Sequence, residues 1–289
     1  MNPVEHLTGP IPTLFLSHGS PMIALEPGEA GRFMQRLGPV MTSLWGAPRG
    51  IVIMSPHTAT RTPFVLGAAS HDTVHDFGGF PPALSEIRYD APGEPQLAEQ
   101  VTRLLQAGQV PAQLTKQGGL DHGIWTVLMH MYPQVSVPVV PVSLNPQATP
   151  SDVMALGRAL HSLAHEQVLV MGSGSLTHNL RRFFQRPTPV DAPEEADCAA
   201  FRGWVAAHAE ATDWPALLDY RARAPSAVAM HPTDEHWLPF YFAAGAAGAD
   251  DVHQPIQAVR LHGSVTHGHL AMDAYAFGPQ AGRLREALG

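Results

Sequence analysis

Five histidines stand where a side chain could do chemistry. His18 follows the apolar run of "LFLSHGSPM" (14–22), and His57 stands in "SPHT" (55–58). His122 lies in "GLDHGIW" (119–125), His178 in "SLTHNL" (175–180) and His236 in "PTDEHWLPF" (232–240). Neutral imidazole is the commonest side-chain metal ligand, and it titrates close to neutral pH. Such a set can therefore hold a metal or move a proton. With no cysteine among the donors, it suits a single zinc or iron ion. One histidine after a strand is ordinarily a hydrogen-bonded structural residue. Several delivered to one place argue for a site.

The serines fit nucleophilic catalysis poorly. Ser20 lies in "HGSPM", which is not G-x-S-x-G, and "GSGSL" (172–176) lacks the closing glycine of that pattern. "GSGS" matches neither a dinucleotide fingerprint nor a phosphate-binding loop. It is expected to make a tight turn after a strand and to carry Thr177, His178 and Asn179 to the site. Ser20 is expected to bond locally.

The histidines need a frame. The runs "PTLFLS" (12–17), "GIVIMS" (50–55), "VPVVPVSL" (137–144) and "QVLVMGS" (167–173) are apolar without alternation, as in strands covered on both faces. Between them, residues 28–45 place Phe33, Leu37, Val40, Met41 and Leu44 on one helical face. Residues 94–108 repeat Leu97, Val101 and Leu104–Leu105 before a stop at Gly108. A third helix is expected over 151–166 with Ser151 as its cap. Residues 193–229 read as mostly helical. A helix is expected to open at Thr233 and run to 247, disturbed by Pro239. The tail 258–278 reads as two strands around a His/Gly turn. The reading is α/β: a single domain, 1–289, with a largely parallel central sheet flanked by helices and a C-terminal β-hairpin. In such sheets ligands bind beyond the carboxyl ends of the strands, and three predicted strands end near His18, His57 and His178.

Composition excludes several classes. A formal charge of −8, with Lys116 the only lysine, argues against a nucleic-acid binder. The run Phe240–Ala249 is half the ~20 residues of a membrane span, and the N-terminus lacks the pattern of a secretory signal. A lone cysteine, Cys198, permits no internal disulfide and fits a reducing compartment. These features predict a soluble cytoplasmic protein with no nucleic-acid or membrane partner. Nothing in the pattern fixes an oligomeric state.

The chain also carries, in order, "LFLSHGSPM", "SPHT", "HDFGGFPPAL" (75–84), "YDAPGEPQLA" (89–98), "GLDHGIWTVLMHMYP" (119–133), "THNL" (177–180) and "PTDEHWLPF". As an ordered set these resemble the LigB-type class III extradiol ring-cleaving dioxygenases, in the branch of 4,5-DOPA extradiol dioxygenases, over residues 12 to about 275. The resemblance implies cleavage of a small DOPA-like catechol by O2. It implies Fe(II) as the working metal, with Zn(II) possible in the same site. The ligands it implies are His18, His57 and His236, and His178 is either a fourth ligand or a base. His122 faces substrate and oxygen and is implied to handle a proton. Relatives that use two histidines and a carboxylate make Glu235 the alternative to His236. Neighbours on a helix point roughly 100° apart, so the two are not expected to share one ion. His75, Asp76, Phe77 and Phe80 are assigned to the substrate mouth. His71, His130, His161, His165, His208 and His253 are expected to be structural or exposed, and "HGSVTHGHL" (262–270) a turn. The rival readings of the same donors are a zinc hydrolase, with metal-bound water as nucleophile, and a binding protein that has kept a metal site.

Overall fold

A computed structural model describes residues 6–248 and 257–289; His253 and Ala249 lie outside the described residues. The strands are β1 (Thr13–Ser17), β2 (Gly50–Ala59), β3 (Phe64–Leu66), β4 (Gln113–Thr115), β5 (Val139–Leu144), β6 (Val168–Gly174), β7 (Ala258–His262), β8 (Val265–Thr266), β9 (Leu270–Ala271) and β10 (Ala274–Phe277). The helices are α1 (Gly28–Trp45), α2 (Pro82–Glu86), α3 (Pro95–Ala107), α4 (His122–Met131), α5 (Pro150–Arg158) and α6 (Leu180–Gln185). They continue as α7 (Ala196–Glu210), α8 (Trp214–Leu218), α9 (Tyr220–Arg223), α10 (Ala227–Met230), α11 (Leu238–Ala246) and α12 (Ala281–Leu288).

Eight strands form one sheet in the order β4-β3-β5-β2-β6-β1-β10-β7. Its centre, β5-β2-β6-β1, is parallel throughout. β10 and β7 add an antiparallel edge, and β3 runs antiparallel to β5. β8 and β9 pair as a separate small hairpin whose turn includes His267 and Gly268, both at positive φ. The tail is thus four short strands, with the expected His/Gly turn at its tip.

The central strands are apolar at most positions because they feed two cores; the exceptions include Ser17, Ser55, Ser143 and Ser173. Leu14, Leu16, Ile51, Ile53, Leu169 and Met171 pack with α1 and α4 on one face. Phe15, Val52, Met54, Val140, Val142 and Val170 pack with α3, α5, α7 and α11 on the other. Burying one such side chain contributes about 2 kcal/mol, so the two cores together hold the sheet in place.

Three boundaries differ from the expectation. The third helix starts at Pro150, capped by Thr149 in a reciprocal box with Asp152, and a 3-10 stretch His161–Glu166 replaces its second half. The late helix starts at Leu238, not Thr233; Pro239 sits in its first turn, where a missing N–H costs nothing, and disturbs nothing. Gly172 and Gly174 lie inside β6 rather than in a turn. A Cβ on Gly172 would overlap the Pro239 carbonyl, and one on Gly174 the His236 carbonyl. The two glycines therefore let the backbone of 236–239 lie directly on the sheet. Among the described residues no helix is long and apolar enough to cross a membrane.

Candidate active site

The five histidines converge at the carboxyl ends of β1, β2 and β6. His18 directly follows β1, and Gly19, at φ +65°, turns the chain away. His57 lies near the end of β2, within an irregularity in its pairing with β5 between Ser55 and Ala59. His122 is the first residue of α4, whose cap is the Asp121 carboxylate. His178 is fixed through its backbone N–H, which donates to the Met230 carbonyl at 2.9 Å. His236 lies before α11, its carbonyl accepting the Ser175 N–H at 2.8 Å.

The rings face one another. Centroids are 5.1 Å apart for His18 and His57, 3.9 Å for His57 and His122, 5.0 Å for His57 and His236, and 5.6 Å for His18 and His236. His178 lies flat on His236, with centroids 3.4 Å apart and planes 8° from parallel. Two groups are close enough to hold a metal ion: His18, His57 and His122, and His178, Glu235 and His236.

Hydrogen bonds settle which nitrogens are free. Ser173 Oγ donates its one proton to the Gly123 carbonyl at 2.5 Å, so toward His18 Nδ1, at 3.0 Å, it can only accept. His18 is therefore protonated on Nδ1, and its Nε2 lone pair points inward. His57 Nε2 lies 3.2 Å from that atom. Two nitrogens on one ion at ordinary zinc–imidazole lengths sit roughly 3.3 Å apart, so this pair fits a shared metal. Neither ring nitrogen of the buried His236 has a hydrogen-bond partner. Its Nδ1 lies 3.5 Å from the Glu235 carboxylate. A buried imidazole with two unmatched nitrogens is costly unless something binds it. This donor set fits a divalent cation.

The imidazoles of His18, His57, His178 and His236 are held neutral, as ligation requires. Burial and the neighbouring rings push His18 and His236 well below the usual 6.5. Burial and His122 lower His57 to about 3, and burial lowers His178 to about 4.

The substrate-mouth residues divide. Asp76 accepts from His122 twice: Oδ1 from the backbone N–H at 2.9 Å and Oδ2 from Nδ1 at 3.0 Å. Burial alone would raise the Asp76 carboxyl, but the His122 hydrogen bonds and nearby charge hold it low and ionised. Phe77 stands edge-on to His122 at 5.7 Å and to Phe80 at 5.5 Å. Phe80 is 37% exposed. His75 packs against Phe77 and Trp125, and its Nε2 bonds the Ile87 carbonyl at 3.0 Å. Glu235 and His236 precede α11 rather than lying on it, which removes the helical argument against their proximity.

Sequence reasoning missed the residues that brace the ligands. Asp121 accepts from Ser55 Oγ at 2.7 Å and Thr58 Oγ1 at 2.5 Å, tying the cap of α4 to β2 on either side of His57. Gly123 is in van der Waals contact with three of these groups: a Cβ there would lie 2.5 Å from Ser55 Oγ and 3.1 Å from the rings of His18 and His57. An aspartate before an apolar helix is a readable cap signal. Ser173 carried none. Of the histidines expected to be structural, His71, His130 and His161 bond the carbonyls of Val139, Ile23 and Ala246, and His208 pairs with Asp213.

A family profile described as "Catalytic LigB subunit of aromatic ring-opening dioxygenase" matches residues 12–273. This chain belongs to the LigB family. It is 34% identical to the 4,5-DOPA dioxygenase extradiol of Beta vulgaris, over 92% of this chain and 96% of that protein. It is 33% identical to the 4,5-DOPA dioxygenase extradiol of Escherichia coli K12, over 87% and 91%. The dioxygenase tasH of Hapsidospora irregularis is 30% identical, over 93% and 85%. A crystal structure of an uncharacterized E. coli K12 protein superposes with a TM-score of 0.72 at 29% identity, covering 93% of this chain and all of that one. The LigB chain described here is an extradiol dioxygenase; dioxygenases of this family are metal-dependent, and His18, His57 and His122 form a group able to bind a metal ion. The hydrolase reading is not favoured: these relatives are dioxygenases.

Proposed function

We propose that the chain opens the ring of a DOPA-like catechol with O2, using Fe(II) held by His18, His57 and His236. The observation that carries this reading is the cluster of converging imidazoles, above all buried His236, neither of whose ring nitrogens has a hydrogen-bond partner. Zinc suits the same imidazoles, so a purified sample can hold Zn(II) without turning over. Held by His18, His57 and His236, Fe(II) would supply the redox chemistry.

The protein's own part is to orient the ring and manage protons. A catechol hydroxyl gives up its proton on binding, and His122 is assigned to take it, on Nε2, because Nδ1 is bonded to Asp76. His178 is assigned to proton handling rather than to the metal. An imidazole lone pair lies in the ring plane, and a ring stacked flat on His236 does not aim at an ion in the plane of His236. Phe77 flanks the catechol ring. Asp76 meets His122, whereas His75 and Phe80 stand further out, at the mouth. The buried, unpaired Cys198 fits a cytoplasmic location.

The test is anaerobic reconstitution with Fe(II), followed by DOPA and then O2. The expected result is a yellow ring-fission product with one O2 consumed per catechol. Absence of oxygen uptake with DOPA and with simpler catechols would refute the proposal.

A further inference from the structure

We infer that Asp76 is a positioning residue that fixes the tautomer of His122, keeping the proton on Nδ1 and the Nε2 lone pair turned into the site. The inference rests on the reading of His122 as the proton acceptor, because only an unprotonated Nε2 can serve.

The geometry is specific. Asp76 Oδ1 is committed to the His122 backbone N–H, and Oδ2 to Nδ1 of the same residue. An ionised carboxylate only accepts, so Nδ1 must donate. The carboxylate cannot drift away. Segment 72–76 is zipped alongside 120–122, with Val74 N–H donating to the Leu120 carbonyl at 2.8 Å and Leu120 N–H to the Asp72 carbonyl at 2.9 Å. Trp125 Nε1, on the next turn of α4, donates to the Val74 carbonyl at 3.0 Å. The helix that carries His122 therefore also holds the loop that carries Asp76. Asp76 Oδ2 also lies 3.7 Å from His57 Nδ1, so its charge faces the outer nitrogens of two site histidines. A carboxylate behind an imidazole is a general device for selecting which ring nitrogen faces the reaction.

An isosteric change inverts the device. In Asp76→Asn the backbone N–H of His122 still needs an acceptor, so the amide oxygen must take the Oδ1 place. The amide nitrogen then occupies the Oδ2 place and presents a donor to Nδ1. Nδ1 becomes the acceptor, and the proton moves to Nε2, where it blocks uptake of the substrate's proton.

The experiment is long-range 15N–1H correlation on the full-length, zinc-loaded chain with 15N-histidine, beside steady-state kinetics of the Fe(II) enzyme. Expected are a protonated Nδ1 and an unprotonated Nε2 on His122 in the wild type, and the reverse in Asp76→Asn. A fall in kcat of at least about 100-fold, with KM changed far less, should accompany the inversion. A wild-type His122 protonated on Nε2, or an Asp76→Asn protein with an unaltered tautomer, overturns the inference. The wild-type spectrum decides it even if the variant does not fold. An inverted tautomer with unchanged kcat upholds the role of Asp76 and refutes that of His122 as acceptor.

Discussion

Ser173 has one proton to give, and it gives it to Gly123; that small fact sets the inner face of His18. Replacing His18 or His57 by alanine removes one nitrogen of the pair that lies 3.2 Å apart. Both variants should lose metal on dialysis, as measured by elemental analysis. His122→Ala should keep its metal and lose turnover by about 100- to 10,000-fold, the usual worth of a placed acid or base. Full metal occupancy in His57→Ala would mean that the centre lies elsewhere. The convergence of the five histidines was readable because each follows an apolar strand or stands in a short distinctive motif. Ser173 and Ser55 were not. A serine bonds whatever its neighbours offer, and those neighbours, Gly123 and Asp121, come from far along the chain.

At the scale of elements, α4 and β2 are locked together across His57. Asp121 caps the helix and accepts from both Ser55 and Thr58, and Gly123 leaves no room for a side chain. Gly123→Ala should therefore cost about 1–3 kcal/mol of stability, the range for overpacking. It should also weaken metal binding through displaced His18 and His57 rings, which titration of the metal-free protein with Zn(II) would measure. Unchanged affinity would show that the rings can retreat freely. The strands themselves were legible from composition, because burial on both faces leaves mostly apolar residues. The start of α11 was not, since Thr233 is a good cap by type but residues 232–237 form bends and turns and the helix opens only at Leu238. Nor could a glycine inside β6 announce itself. It is needed only because a second segment rests on the strand, and that contact spans over 60 residues of chain.

The whole molecule keeps several histidines buried and neutral, and this makes its stability depend on acid. His231, remote from the ligand set in its bonding to the Leu176 carbonyl, is pushed by burial to about 3, beside His57 at about 3 and His178 at about 4. These folded values lie below the unfolded value near 6.5, so the unfolded chain binds more protons as pH falls. The stabilisation is complete above about pH 6.5 and is lost as pH drops toward 3–4. Each group costs up to about 2 kcal/mol by pH 5, at 1.36 kcal/mol per unit. Denaturant titrations at pH 7.5 and pH 5 should show a loss of several kcal/mol, with metal released over the same range. A flat profile would mean that these imidazoles are solvated.

Two hydrogen atoms, where Gly172 and Gly174 might have carried side chains, set how far the late segment stands from the sheet. His236 is therefore registered against main chain, which is stiff, rather than against packed side chains, which hop between rotamers. Its height above β6 works like a machined shoulder on which the part seats. Substitutions elsewhere in the two cores can soften the protein and lower its melting temperature while leaving that seat, and the reach of His236 toward His18 and His57, unmoved. Drift in the sequence of the core and constancy of the reaction are compatible here for a mechanical reason.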